Sequence, residues 1–286
     1  MIKLKIPNYT YIQSIDVCQA GITGNPELLD NITNNKTQLS EGEIIYTASA
    51  STGELYNINP LIHNKEDDPA VIGTLKKSDL LSLYNNYFSK QNKPARSIYD
   101  SIMIAANERC PYCGGIGRPR NLDHYLPKSF YPQFSILPIN LIPSCRDCNM
   151  DGKGSDYFKV KDEQVLQPYL DSKAFFENQW IFAKYIKSND NNEPGMIDFF
   201  TNPPNEWTEE NKNRVNNHFK QFDLRLRYSK EAAPRLITYL SQIRRLTDIG
   251  LNLITAKETI LKPVIESAPF VNHWERVMCL ALINEL

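Results

Sequence analysis

Two cysteine pairs constrain this chain more than any other feature of its sequence. Cys110 and Cys113 form one Cys-x-x-Cys pair, and Cys145 and Cys148 form a second. Two intervening residues allow both thiolates of a pair to reach one ion across a tight turn, and two pairs complete a tetrahedral zinc site. Four protein ligands leave no open position for a substrate, so the spacing predicts a structural zinc ion rather than a catalytic one.

The segment between the pairs is longer than a simple zinc ribbon needs, which indicates an insertion between two zinc knuckles. Gly114 and Gly115 follow the first pair directly and suit a sharp turn there. The alternative is a chance pairing of buried cysteines, but two matched pairs with turn residues are hard to obtain by accident. Six cysteines in 286 residues are too sparse for a secreted disulfide scaffold.

Composition excludes several classes of protein. Hydrophobic residues make up 41% of the chain and charged residues 23%, which is ordinary globular usage and excludes disorder as the main state. The net charge of −1 excludes a uniformly basic nucleic-acid coat but permits a local basic patch. No apolar run approaches the ~20 residues that span a bilayer, and no signal-peptide pattern opens the chain. We therefore expect a cytoplasmic protein without a membrane association.

The residues before the first cysteine pair divide into an irregular and a helical part. Residues 1–6 alternate between polar and apolar in the manner of a short strand, and residues 43–48 resemble another strand. The rest of the first seventy or so residues has no long period. From Ser78, a good N-cap, apolar side chains recur at helical spacing, and Pro94 opens a second predicted helix. We expect an N-terminal region over 1–107 that is helical from about residue 78.

After the second cysteine pair the chain is predicted to become helical. Residues 181–200 suit either short strands or a helix, and composition predicts a loop at 189–195. Apolar stripes follow Thr208 almost to the end, one of them starting after Pro234. Apolar stripes at helical spacing are explained by helices that pack on a hydrophobic core. We therefore expect a helical C-terminal region over 161–286.

The insertion carries a second pattern: Asp123-His124-Tyr-Leu-Pro127, then Asn140-Leu-Ile-Pro-Ser-Cys145, then Cys148-Asn149. These strings resemble the HNH endonucleases, also called ββα-metal or His-Me finger nucleases. That family combines a cysteine pair, Asp-His-hydrophobic-x-Pro, Asn-Leu-x-Pro-x-Cys-x-x-Cys-Asn, and then a Lys and a Gly. The match covers about 45 residues. It departs from the family pattern in two places, because Lys153 comes one residue late and prolines stand where many relatives carry a glycine pair. At position 149 the family has either His or Asn, and this chain has Asn.

The resemblance implies a role for each residue that matches the family motif. His124 would be the general base, and Asp123 and Asn149 would hold a catalytic Mg²⁺ or Mn²⁺ ion. Asn140 would brace the loop that orients His124. The chemistry agrees, because carboxylate and amide oxygens suit these hard cations and imidazole is the natural base near neutral pH. The alternative is that these residues have structural roles only. His124 would then be a packed or surface histidine, Asn149 a helix N-cap and Asn140 a turn residue.

Basic residues indicate where nucleic acid would lie. Arg118, Arg120, Lys128 and Lys153 surround the motif. Nine basic and two acidic residues give residues 212–245 a charge of +7, and a concentrated patch of this kind binds nucleic acid through its phosphates. A solvated helix face or a surface for an acidic protein explains the patch equally well. The candidate contacts there are Arg225, Arg227, Arg244 and Arg245.

Together these features predict an α+β, mainly helical fold, with a small ββα-metal HNH module and its zinc knuckles at 108–160 between the two helical regions. The resemblance implies metal-dependent cleavage of DNA to 5′-phosphate and 3′-hydroxyl ends. It extends to HNH nucleases of bacterial anti-phage systems such as Septu, which implies an ATPase partner. Two alternatives remain open: a zinc-stabilised nucleic-acid-binding module without catalysis, and an HNH ribonuclease.

Overall fold

The computed structural model describes residues 1–64, 66–190 and 193–286. The chain divides into two compact units, an N-terminal unit of residues 3–172 and a C-terminal unit of residues 173–286 together with residues 1–2. Helices predominate in the described residues, and each of the sheets found there has two antiparallel strands. The prediction of an α+β, mainly helical fold is confirmed, while the module limits of 108–160 stay a prediction inside the N-terminal unit.

The N-terminal unit begins with two helices whose ends are capped by polar side chains. Thr10 accepts a hydrogen bond from Gln13 N at the first helix, and Asn25 accepts one from Leu28 N at the second. The helices of this unit are α1 (Tyr11–Ala20), α2 (Pro26–Thr52), α3 (Lys77–Ser82) and α4 (Arg96–Ala105). Its strands are β1 (Ala70–Ile72), β2 (Leu75–Lys76), β3 (Asn121–His124) and β4 (Leu141–Ser144).

Helix α2 corrects the prediction for the first seventy residues. The strand predicted at 43–48 lies inside this helix, residues 1–6 form no strand, and helical structure begins at Tyr11 rather than near residue 78. The adjacent Ile44 and Ile45 suggested a strand, but both are exposed, at 72% and 59%. The buried face of α2 is a sparse stripe of Leu28, Ile32, Leu39, Tyr46 and Ala50.

The two helices predicted before the cysteine pairs are present, but each begins at a different residue from the one predicted. Ser78 is not the N-cap of α3, because its N–H and its hydroxyl both donate to Asp68 and the cap position is Lys76. Helix α3 continues as a π-helical turn over Leu83–Phe88. The second predicted helix is confirmed as α4, which buries Ile98, Tyr99 and Ile102 and leads towards the first cysteine pair.

Strands β3 and β4 form the antiparallel hairpin that carries the motif residues. Asp123 lies opposite Ile142, and His124 lies opposite Leu141. Strand β4 ends at Ser144, so that Cys145 follows it directly. A π-helical turn over Asp147–Lys153 comes next and contains the second cysteine of that pair. The hairpin and the turn therefore bring both halves of the motif into one small substructure.

The C-terminal unit contains a hairpin and a group of helices. Residues 181–186 and 196–201 form strands rather than a helix, which resolves that open choice. The loop predicted at 189–195 includes two residues outside the described ones. The helical prediction after Thr208 is confirmed, but Pro234 lies inside a helix rather than before its start. The elements are α5 (Ala174–Glu177), β5 (Ile181–Ile186), β6 (Met196–Thr201), α6 (Glu209–Gln221), α7 (Leu224–Asp248), α8 (Leu253–Glu266) and α9 (Trp274–Glu285). None of the helices in the described residues has both the length and the apolar character that crossing a bilayer requires.

Candidate metal centre and active site

The four paired cysteines form one buried cluster, as the sequence predicts. Their sulfur atoms all lie within 4.8 Å of one another. A tetrahedral zinc ion with Zn–S bonds of ~2.3 Å separates its sulfur ligands by roughly 3.8 Å. Cys113 Sγ and Cys145 Sγ are 4.0 Å apart, close to that separation. The donor set therefore fits a zinc ion held by four thiolates.

The backbone around the first pair folds tightly enough to aim both thiols at one point. Cys110 N donates to Gly117 O at 2.9 Å, and Gly117 N donates to Cys113 Sγ at 3.3 Å. Gly114 and Gly115 both have positive φ, of 65° and 90°, so the predicted glycine turn is present. Burial raises the pKa of the Cys110 thiol, whereas a hydrogen bond from Cys110 lowers the pKa of Cys145 to about 7. Cys145 thus approaches the thiolate form that a metal needs.

Asp123 is buried on β3 beside an internal cation. Its Oδ2 atom lies 3.5 Å from Lys153 Nζ and 3.5 Å from the hydroxyl of Tyr112. Burial raises the pKa of Asp123 to about 6, and the nearby Lys153 ammonium acts in the opposite direction. Burial also lowers the pKa of Lys153, which is only 5% exposed. Lys153, predicted as a nucleic-acid contact, therefore points into the protein interior, where its ammonium donates to His124 O at 2.7 Å.

Asn149 lies on the same side of the hairpin as Asp123. Its Nδ2 atom donates to Asn121 Oδ1 at 3.1 Å. Asn121 and Asp123 are two residues apart on β3, and side chains at that spacing share a face of a strand. Carboxylate and amide oxygens are the ligands that Mg²⁺ and Mn²⁺ prefer. The chemistry of this donor set therefore fits a hard divalent cation, with Asn121 as an additional oxygen donor.

His124 is held in a defined orientation by a main-chain carbonyl. Its Nε2 atom is 2.8 Å from Ser135 O, and its ring packs edge-on against Tyr84 with centroids 4.4 Å apart. Because a carbonyl can only accept, Nε2 carries the proton and Nδ1 carries the lone pair. The pKa of His124 is lowered to about 3, mainly by burial and in smaller part by the charges of Lys128 and Lys153. The ring is therefore neutral at physiological pH and can accept a proton at Nδ1.

The structure brings the three predicted side chains into one substructure without direct contact between them. Among the described residues, no hydrogen bond or ion pair joins the side chains of Asp123, His124 and Asn149. Neighbouring residues on a strand point to opposite faces, which separates the carboxylate from the imidazole. Lys153 connects the two, because it contacts both residues and its charge acts on the pKa of each.

Asn140 has the environment expected of a bracing residue. It is fully buried, and its Oδ1 atom accepts from Leu126 N at 2.8 Å. Its Nδ2 atom donates to Leu126 O and to Phe134 O, both at 3.1 Å. These bonds fix both ends of the loop after β3, next to the Ser135 carbonyl that orients His124.

The basic residues near the hairpin differ in how accessible they are. Arg118 and Arg120 are exposed. Lys128 is half-buried, donates to Asn85 Oδ1 at 2.6 Å and lies 4.4 Å above the ring of Tyr84. Arg118 and Arg120 thus remain available to a ligand, whereas Lys128 is already tied to the residues that pack around His124.

The basic residues of the C-terminal unit are similarly divided. Arg225 is paired with both carboxylate oxygens of Asp198, at 2.7 and 2.9 Å, so its charge is largely compensated. Arg227 is half-buried and donates to Phe222 O at 3.2 Å. Arg244 and Arg245 are exposed near the end of α7. Arg225 is exposed as well, but among the described residues Arg244 and Arg245 form no ion pair that would compensate their charge.

Comparison with known proteins places the chain in a family. Protein ea31 of Escherichia phage lambda is 37% identical over 294 residues, which span 99% of this chain and 97% of the relative. The chain belongs to the Ea31 family. The aligned region is nearly end to end, so it spans the segments that carry the cysteine cluster, the motif hairpin and the C-terminal unit.

A second similarity is local. The Septu protein PtuB of Bacillus thuringiensis is 30% identical over 78 residues, which is 26% of this chain and 29% of PtuB. The predicted resemblance to a Septu component is therefore confirmed for a limited stretch. No family model and no solved structure matches this member of the Ea31 family.

Three residues that support the site were not found from the sequence. Tyr46 on α2 donates to Asn140 Oδ1 at 3.0 Å, although the two are 94 residues apart. Asn121 contacts Asn149, and Ser135 orients His124 through its carbonyl. The position of Asn121, two residues before Asp123, is a usable signal. The contacts of Tyr46 and Ser135 leave no comparable pattern in the sequence.

Gly117 is a further residue of the zinc turn, and it yields a testable prediction. A Cβ atom at this position would lie 2.4 Å from Cys145 Sγ and 2.6 Å from Cys145 Cβ. We expect Gly117→Ala to displace this ligand, destabilise the unit by about 1–3 kcal/mol and speed the release of zinc to a competing chelator. The control is Gly24→Ala, which carries the backbone strain of a φ of 75° but whose Cβ meets nothing within 4 Å, so it should leave the zinc ligands in place. Equal zinc release from both variants would contradict the close approach at Gly117.

Proposed function

We propose that this chain is a divalent-metal-dependent HNH endonuclease that cleaves DNA and is stabilised by a structural zinc ion. The observation that carries the proposal is the environment of His124, a neutral imidazole oriented by Ser135 O on a hairpin that also carries Asp123. The order of hairpin and helical turn is similar to the ββα arrangement that the motif implies. The local similarity to PtuB is a second support.

The residues would divide the work of phosphodiester hydrolysis. His124 would take a proton from the attacking water at Nδ1, while the bond from Nε2 to Ser135 O keeps the ring in place. Asp123 and Asn149, with Asn121, would hold Mg²⁺ or Mn²⁺. That ion supplies charge stabilisation for the phosphate and the departing 3′ oxygen. Cleavage of the P–O3′ bond in this way leaves 5′-phosphate and 3′-hydroxyl ends.

The helical turn after the second cysteine pair accounts for the late lysine in the motif. Gly154 N donates to Asn149 O at 3.2 Å, a bond across five residues that marks a π-helical turn. A π-turn holds about one residue more than an α-turn, so the residue four after Asn149 returns to the strand side. The one-residue shift of Lys153 is thereby absorbed, which supports the family resemblance.

The partners that we propose are inferred from exposed arginine side chains and from the comparisons with known proteins. Arg118 and Arg120 would contact the DNA backbone beside the hairpin, and Arg244 and Arg245 would do so in the C-terminal unit. The similarity to the Septu protein PtuB supports a role in anti-phage defence. The ATPase partner and the cytoplasmic location are proposed from the motif resemblance. Arg225 is a weaker candidate contact, because Asp198 already compensates its charge.

A cleavage panel tests the proposal. Zinc-loaded protein would be incubated with supercoiled plasmid and with defined single- and double-stranded DNA and RNA, with Mg²⁺, with Mn²⁺ and without added divalent ion. We expect nicked or linear plasmid only when Mg²⁺ or Mn²⁺ is present. Cleavage of RNA alone would favour the ribonuclease alternative. DNA binding without any cleavage would favour the zinc-stabilised binding module.

A further inference from the structure

We propose that the Lys153 ammonium holds the cation position beside Asp123 in the metal-free protein, and that a divalent ion binds there by displacing it. The inference rests on the proposed metal-dependent function and concerns the regulation of that same site. Lys153 would be a positioning residue, since it contacts Asp123 and His124 and acts through them.

Burial makes this pair sensitive to a competing cation. The side chains of Lys153 and Asp123 are 1% and 7% exposed, so both charges are removed from water. Among the described residues, Lys153 is the one cation in an ion pair with Asp123. An ionised carboxylate that is buried without a counter-charge is costly, so a nearby cation stabilises the charged form of Asp123.

The contact between the two side chains is nevertheless loose. The distance of 3.5 Å from Lys153 Nζ to Asp123 Oδ2 exceeds the ~2.7–2.9 Å of a strong charge-assisted hydrogen bond. The short bond of Lys153, at 2.7 Å, goes to His124 O. Lys153 can therefore keep its main-chain acceptor when a divalent ion takes over the carboxylate. The exchange replaces one positive charge by two beside the same oxygen atoms.

The place of Lys153 in the chain supports a coupled exchange. Lys153 is the last residue of the π-helical turn that also carries Asn149, the second proposed oxygen donor. The bond from Gly154 N to Asn149 O closes that turn directly behind Lys153. Movement of the ammonium away from Asp123 is thus linked, through a single turn, to the side chain that would complete the ion's ligands.

Replacement of Lys153 by methionine tests the competition directly, because methionine has a similar length and no charge. Zinc-loaded protein would be titrated with Mn²⁺, and free Mn²⁺ would be followed by electron paramagnetic resonance. We expect Lys153→Met to bind Mn²⁺ about tenfold more tightly than the wild type. We also expect its melting temperature to fall without Mn²⁺ and to recover when Mn²⁺ is added, because the ion supplies the missing counter-charge.

The control keeps the charge and strengthens the pairing. In Lys153→Arg, the forked guanidinium can hold the carboxylate through two hydrogen bonds, so Mn²⁺ binding should weaken. Equal or weaker Mn²⁺ affinity in Lys153→Met overturns the inference. Should that variant fail to fold, Lys153→Arg decides: weaker binding supports the inference, and unchanged or tighter binding overturns it.

Asp123→Asn separates this inference from the proposed function. If it leaves Mn²⁺ binding unchanged, the ion binds elsewhere and the inference is overturned whatever the cleavage panel shows. If Mn²⁺ binding depends on Asp123 and on Lys153 as expected while no substrate is cleaved, the exchange is supported and the nuclease proposal fails. If the protein cleaves DNA with the expected Mn²⁺ dependence but Lys153→Met does not bind Mn²⁺ more tightly, the nuclease proposal is supported and the exchange is overturned.

Discussion

Replacing His124 by alanine is expected to lower metal-dependent DNA cleavage by about 10²–10⁴-fold, the usual contribution of a positioned general base. The imidazole is neutral, its Nε2 is bound to Ser135 O, and its Nδ1 carries the lone pair. Alanine offers no proton acceptor at this position. The measurement is the initial rate of plasmid nicking with Mg²⁺ or Mn²⁺. Binding of Mn²⁺ should persist, because the proposed ligands are the oxygens of Asp123 and Asn149.

A second histidine of the same unit provides the matched control for this result. The ring of His63 is engaged by Lys77 Nζ at 2.7 Å and by Asn64 O at 2.6 Å, and it has no part in the proposed chemistry. His63→Ala should cleave at nearly the wild-type rate. If His124→Ala and His63→Ala keep equal activity while both stay folded, the role of His124 as a base is wrong.

The local motifs could be predicted from the sequence because their chemistry fixes both residue type and spacing. Cysteine pairs that share an ion must converge, and the structure brings all four thiols together. The amphipathic helices after Thr208 follow from the same kind of local regularity. Helix α2 could not be predicted, because its buried face depends on contacts with distant residues. Tyr46, for example, is buried against Asn140, 94 residues away.

The geometry of the site was less accessible to sequence reasoning than its residue content. The partner of His124 is the carbonyl of Ser135, and every residue type has a carbonyl. The inward direction of Lys153 depends on the π-helical turn, and the late position of the lysine in the motif did not by itself indicate that turn. A lysine beside a nuclease motif suggests a phosphate contact, whereas burial next to Asp123 makes this one an internal cation.

Replacing Cys110 by serine is expected to abolish zinc binding and to unfold or loosen the N-terminal unit. Structural zinc contributes an apparent ~10–16 kcal/mol in small zinc domains, which is comparable to the whole stability of a typical protein. The loss would reach the hairpin, because Cys145 follows β4 directly and Cys148 lies in the helical turn that carries Asn149. The measurements are zinc content by atomic emission and thermal melting by circular dichroism.

Cys279→Ser is the matched control for the loss of zinc. Cys279 is also a buried thiol, but it belongs to α9 in the C-terminal unit and lies outside the cysteine cluster. This variant should keep the zinc content of the wild type. Helices α6 to α9 contain no cluster ligand, so Cys110→Ser should retain their helical signal while it loses the zinc-dependent part of the melting curve. Wild-type zinc content and melting in Cys110→Ser would remove this thiol from the metal site and leave Cys113, Cys145 and Cys148 too few for a closed tetrahedral centre.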